Sequence, residues 1–185
     1  IGSNCIANAN IGFAVGIGDE VLSSGSLSSG NQVAIGFRAS KNTTSGINTA
    51  VGFRSLQANT TGNNNTAIGF DAMIDNTTGG SNTSVGHIAL AENTTGGSNT
   101  AVGTNALFAN TTASNNTAVG KSALVANTTG EDNTAIGSSA LDSNTTASNN
   151  TAVGRLALQA NTTGGTNTAV GSLALDANTT GDFNT

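Results

Sequence analysis

From Asn48 onward the chain repeats one 17-residue phrase, Asn-Thr-Ala-Val-Gly-x-x-Ala-Leu-x-x-Asn-Thr-Thr-x-x-x. Its Asn-Thr-Thr triplet begins at Asn42, Asn59, Asn76, Asn93, Asn110, Asn127, Asn144, Asn161 and Asn178, always 17 apart. A fixed period means one unit stacked on copies of itself, since a unit this short cannot bury an apolar face alone. Helical arrays and propellers need periods of roughly 20–50 residues. A shorter phrase filled with Thr, Val, Asn and Gly predicts short strands wound into a coil. The expected fold is all-β: a parallel β-solenoid of 17-residue coils.

Composition supports an ordered stack rather than a globule or a disordered chain. Charged residues are 8% of the sequence, the aromatics are six Phe, and there is no Trp, Tyr or Pro. So few large side chains cannot build an ordinary globular core. Low charge and modest hydrophobicity also suit disorder, but disorder places no demand on register, and here register is kept. The absence of Pro fits interior ladders, to which Pro cannot donate. A net charge of -5, with five scattered basic residues, argues against nucleic acid, which selects a Lys/Arg stripe. No apolar run approaches the ~18 residues of a membrane-spanning helix. The chain starts at Ile1 without Met and stops at Asn184-Thr185, the opening of another repeat, so the expectation is a segment of a longer protein.

The sequence divides in two. Residues 1–47 are irregular coils, a cap or junction, marked by Ile1-Gly2, Val15-Gly16, Ile35-Gly36 and Val51-Gly52 at intervals of 14, 20 and 16. Ser23 to Gly30 reads as a bulged loop, and Cys5 stands in an Ala slot, as a small buried apolar residue. Residues 48–185 are the regular solenoid.

Within a regular coil, Thr-Ala-Val predicts a strand with Thr49 and Val51 on one face and Asn48, Ala50 and Gly52 on the other. The Gly then allows a corner or a close backbone approach. A second short strand is expected through Ala-Leu, as at Ala106-Leu107 and Ala123-Leu124, with Asn-Thr-Thr-Gly closing the coil. Stacking predicts three ladders. One is the triplet Asn from Asn59 (then Asn76, Asn93, Asn110, Asn127, Asn144, Asn161) to Asn178. The second is Val51, Ile68, Val85, Val102, Val119, Ile136, Val153 and Val170, and the third is Gly52, Gly69, Gly86, Gly103, Gly120, Gly137, Gly154 and Gly171. Each coil offers only one Val or Ile and one Leu or Met as large hydrophobes, plus two Ala. That is little burial for 17 ordered residues, and the strand carries small or apolar residues on both faces. One face is therefore expected to line the coil and the other to meet identical subunits, a threefold arrangement being one choice.

The units Val-Gly-x-x-Ala-Leu and Asn-Thr-Ala-Val-Gly resemble the head repeats of YadA-like trimeric autotransporter adhesins. The longer form, as in Asn99 to Thr112, is similar to repeats of bacterial and phage tail-fibre proteins. The resemblance spans nearly the whole chain. It implies a left-handed β-roll, a homotrimer, and a fibre shaft or adhesive head outside the cell, on a cell surface or on a virion.

Catalytic and metal patterns are not evident. His87 is the sole histidine and sits in a variable slot, as an expected surface residue; the acidic residues share no repeat position that would make a calcium ladder. Neither enzyme activity nor a cofactor is expected. Asn-Thr-Thr also matches the N-glycosylation sequon, but glycans at every ~4.8 Å of stack would collide. The slots after the Gly corner vary, and Phe53, Arg54, Phe70, His87, Lys121 and Arg155 are the candidate contacts for a target. Two functions remain: a structural or adhesive fibre, and an ice-binding solenoid that uses ranked Thr.

Overall fold

The computed structural model describes residues 13–23 and 30–185, and over these the chain is a β-solenoid. Ten parallel strands form one sheet in chain order: β1 (Ala14–Ile17), β2 (Gln32–Ile35), β3 (Asn48–Val51), β4 (Asn65–Ile68), β5 (Thr83–Val85), β6 (Thr100–Val102), β7 (Thr117–Val119), β8 (Thr134–Ile136), β9 (Thr151–Val153) and β10 (Thr168–Val170). At ~4.8 Å per strand the described stack is about 45 Å long. Like lies on like: Thr49, Ala50 and Val51 pair with Thr66, Ala67 and Ile68, and the match continues up the rod.

The alternation sorts the strand into two faces. Asn48 and Ala50 are buried, whereas Thr49 and Val51 are only half-buried. Val and Ile therefore point outward, which decides the choice of face that the sequence left open. The interior is narrow. Two columns of Ala (Ala50 through Ala169 in the strands, with Ser84 in one slot, and Ala72 through Ala157 beyond the corner) enclose one column of Leu, with Met73 in a Leu slot. A coil of this girth has room for Cβ methyls from the strand and one longer chain from the opposite wall. A Val in the strand column would overfill it.

The corner glycines meet the steric demand placed on them. Gly52 has φ +138°, and a Cβ there would lie 2.2 Å from the Gly69 carbonyl oxygen of the next coil. No L side chain fits that approach.

Beyond the corner the expected second strand is absent. Overlapping β-turns replace it: Ser55 donates to the Gly52 carbonyl, Gln57 to Arg54 and Asn59 to Leu56. In the first two of these turns the third residue is left-handed, Arg54 at φ 52° and Leu56 at φ 54°. Each left-handed non-Gly residue costs about 1–2 kcal/mol. The alternation is retained because it aims successive N–H groups at opposite neighbours: Arg54 donates to Phe37 in the coil before, Leu56 to Ala72 in the coil after. Adjacent Ala and Leu, as at Ala106 and Leu107, are both buried in this ribbon, where a strand would send one of the two outward.

Two register details differ from the sequence reading. Ile17 pairs with Ile35 and Gly18 opposes Gly36, so the second coil is 18 residues long rather than 20. The next coil is one residue short, so Thr43, not Asn42, occupies the buried Asn59 slot and Thr44 aligns with Thr60. The Ile1-Gly2 coil, Cys5 and most of the Ser23–Gly30 loop lie outside the described residues.

Candidate functional site

The triplet Asn residues form the expected ladder. Asn76 donates from Nδ2 to Asn59 Oδ1 at 3.0 Å, Asn93 to Asn76 at 2.7 Å, and Asn110 to Asn93 at 2.8 Å, continuing to Asn178 on Asn161 at 2.9 Å. Each amide also donates to a carbonyl three residues on, as Asn76 does to Gly79. Asn59 to Asn161 are fully buried with both amide atoms engaged, so these triplet Asn are not presented for modification. Beside them, Thr60, Thr77 and Thr94 donate from Oγ1 to the triplet carbonyl of the following coil.

A second Asn ladder escaped the sequence reading. Asn65, Asn82, Asn99, Asn116, Asn133, Asn150 and Asn167 open each strand, facing inward. Asn82 N–H donates to Asn65 Oδ1 at 2.9 Å, while Asn82 Nδ2 donates to the Gly96 carbonyl at 2.9 Å. The signal was present: an Asn two residues before an inward Ala shares its face. These two ladders satisfy the buried backbone where the coil turns, which a core of Ala and Leu cannot do.

The stack is not perfectly uniform. In the slot after the triplet, Ala113 and Ala147 replace Gly, and a Cβ in this slot crowds the carbonyl of the following coil. The triplet bonds lengthen there: Thr111 N–H to Thr128 O and Thr145 N–H to Thr162 O are both 3.3 Å, against 2.8–2.9 Å for Thr94, Thr128 and Thr162. Thr95, Thr129 and Thr163 make a second N–H bond across this joint, which among the described residues Thr112 and Thr146 lack. The adjacent serines bond on the other side, to the coil before: Ser114 Oγ accepts from Gly97 N–H and Ser148 Oγ from Glu131 N–H.

Of the candidate contact residues, four come together. Phe53 and Phe70 stack at 5.0 Å between ring centroids, Phe37 extends the stack on one side at 5.2 Å, and His87 on the other at 5.3 Å. Ring faces cover one another, so the edges form the exposed ledge. Arg54 lies over Phe53 at 5.1 Å and pairs with Asp71, Nε to Oδ1 at 2.9 Å. That hydrogen bond, with the charges of Asp71 and then Asp75, raises the Arg54 pKa above its ordinary value despite some desolvation. Asp71, expected to be exposed like its neighbours, is buried. Lys121 and Arg155 occupy the same exposed corner rank as Phe53 but stand several coils away, separated by Thr104 and Ser138. The ledge is one site; the two distant cations do not belong to it.

At the irregular end, Glu20 bridges coils. Its carboxylate accepts from Arg38 Nε at 2.9 Å and from Lys41 Nζ at 2.5 Å. The Arg38 hydrogen bond, then that of Lys41, holds its pKa down at about 2.

From β3 to β10 the outward face of the sheet is a rank of Thr beside a rank of Val or Ile. Ile68 and Ile136 remain 39% and 41% exposed within the stack. Among the described residues no cluster of His, Cys, Asp or Glu could hold a metal ion, and no helix is long and apolar enough to cross a membrane. Comparison with protein-family models, curated proteins and solved structures finds no match for this chain.

Proposed function

We propose that this chain is a structural fibre segment, a shaft or adhesive head of an extracellular or virion-borne filament, built from identical subunits packed along the outward sheet face. One observation carries the reading: the Val and Ile of every coil stand on the outside of a parallel sheet. Parallel sheets are as a rule covered on both faces, and a contiguous apolar rank in contact with water marks a surface that associates. The resemblance to trimeric adhesin heads and tail-fibre repeats makes the homotrimer the first assembly to test. The Phe53–Phe70–His87 ledge is the candidate target contact within such a fibre. Sedimentation or light scattering on the soluble segment is expected to give a stable homo-oligomer, and a monomer at tens of micromolar would sink the reading.

A second reading, ice binding, draws on one specific observation. The Thr and the Val or Ile of each strand share one outward face, so hydroxyl-and-methyl ranks repeat at the strand spacing along the rod. Thermal hysteresis at micromolar protein would favour this reading over the fibre.

A further inference from the structure

The outward face changes character along the rod. In β3 to β10 its two ranks are Thr and Val or Ile, whereas in β1 and β2 both are apolar: Val15 with Ile17, then Val33 with Ile35. The rings of Phe53 and Phe70 stand past the corner in the next two coils. Apolar surface is thus concentrated at the N-terminal end of the stack.

Two features of this face select its occupant. No charged residue stands at an outward position of any of the ten strands, although the chain carries a net charge of -5. A molecule of identical charge can therefore dock here without placing like charges together. The face also repeats once per strand, at ~4.8 Å. A surface without that spacing drifts out of step, whereas a second copy matches at every rung and sets the same Thr and Val ranks against these, as in other stacked-strand interfaces. Both arguments point to a second copy of this chain. The gradient then sets direction: parallel copies place the all-apolar strands against each other, whereas antiparallel copies set them against the Thr ranks of β9 and β10.

We infer, resting on the fibre reading, that copies pack parallel and in register through this face, with Val15, Ile17, Val33 and Ile35 as the anchor. The Thr–Val ranks downstream act as the ruler that holds register.

A Cys5→Ser background carrying either Val33→Cys or Thr151→Cys tests the direction with a short bismaleimide. Each chain alone is expected to cross-link to itself, and a mixture of the two is expected to give no mixed product. A mixed product overturns parallel packing while leaving the fibre reading intact. The anchor is tested by Val33→Thr against Val153→Thr, followed by sedimentation equilibrium. Exchanging one buried apolar group for a hydroxyl per chain is expected to weaken association about tenfold at Val33 and less than about threefold at Val153. Equal effects overturn the anchor. Circular dichroism checks folding, which Thr in this slot already supports at Thr49 through Thr168. A segment that stays monomeric throughout overturns both the inference and the reading beneath it.

Discussion

Asn93 donates from Nδ2 to Asn76 Oδ1 at 2.7 Å inside a core that is otherwise Ala and Leu. The Asn amide donates from Nδ2 and accepts on Oδ1 at once, so one residue type serves every rung from Asn59 to Asn178. Removing a rung leaves the neighbouring partners buried and unpaired.

Asn110→Ala is therefore expected to cost about 2–4 kcal/mol, because it removes the bonds to Asn93 and the Ala113 carbonyl and strips Asn127 of an acceptor. Asn115→Ala, at an exposed left-handed position, is expected to stay within about 1 kcal/mol. Urea unfolding of both variants measures the contrast, and similar costs would mean that the ladder does not stabilise the coil.

The narrow interior predicts opposite responses at adjacent residues. Ala118→Val adds methyls to the buried column and is expected to destabilise by about 1–3 kcal/mol. Val119→Ala, on the outward face, is expected to leave the melting of an isolated chain nearly unchanged while weakening self-association. Paired melting and sedimentation measurements would separate the two.

Ser40 interrupts the Leu column with a buried hydroxyl that has no hydrogen-bond partner. Ser40→Leu restores the residue found at Leu22 and Leu56 in the same left-handed backbone and is expected to stabilise by about 1–3 kcal/mol. A lower melting temperature would show that the shortened coil has no room for it.

The Glu20 cluster predicts an acid response. Its folded pKa of about 2 lies below the ordinary 4.5. The stability it contributes is present above about pH 4.5 and is lost as the pH falls through about 2. Glu20 is open to water, so the effect is small. Glu20→Gln is expected to flatten the pH dependence in that window, and melting curves between pH 2 and 5 check it.

The joints at Ala113 and Ala147 are expected to open first. Amide exchange at Thr112 and Thr146 should run about tenfold faster than at Thr95, Thr129 and Thr163, which keep their inter-coil bonds. Uniform protection along this rank would show that the lengthened bonds do not weaken the joint.

Fold and periodicity were legible in the sequence because stacking acts on every coil alike, and anything that must meet its own copy has to recur. That logic identified the coil length, the strand, the Gly corner and the triplet Asn ladder. It also assigned Thr49 and Val51 to one side and Asn48 and Ala50 to the other. Which side is inside could not be read there, since hydrophobicity alone puts Val in and Asn out. The tertiary structure puts Asn48 and Ala50 inside, because the strand column of a regular coil lies close against the Leu column and the inward backbone groups need the Asn amides. The turn ribbon through Ala-Leu, the shift from Asn42 to Thr43, and the gathering of Phe37, Phe53, Phe70 and His87 into one stack were likewise decided only by how neighbouring coils settle. Each depends on the girth and offset of a coil, which are properties of the closed ring and not of any residue in it.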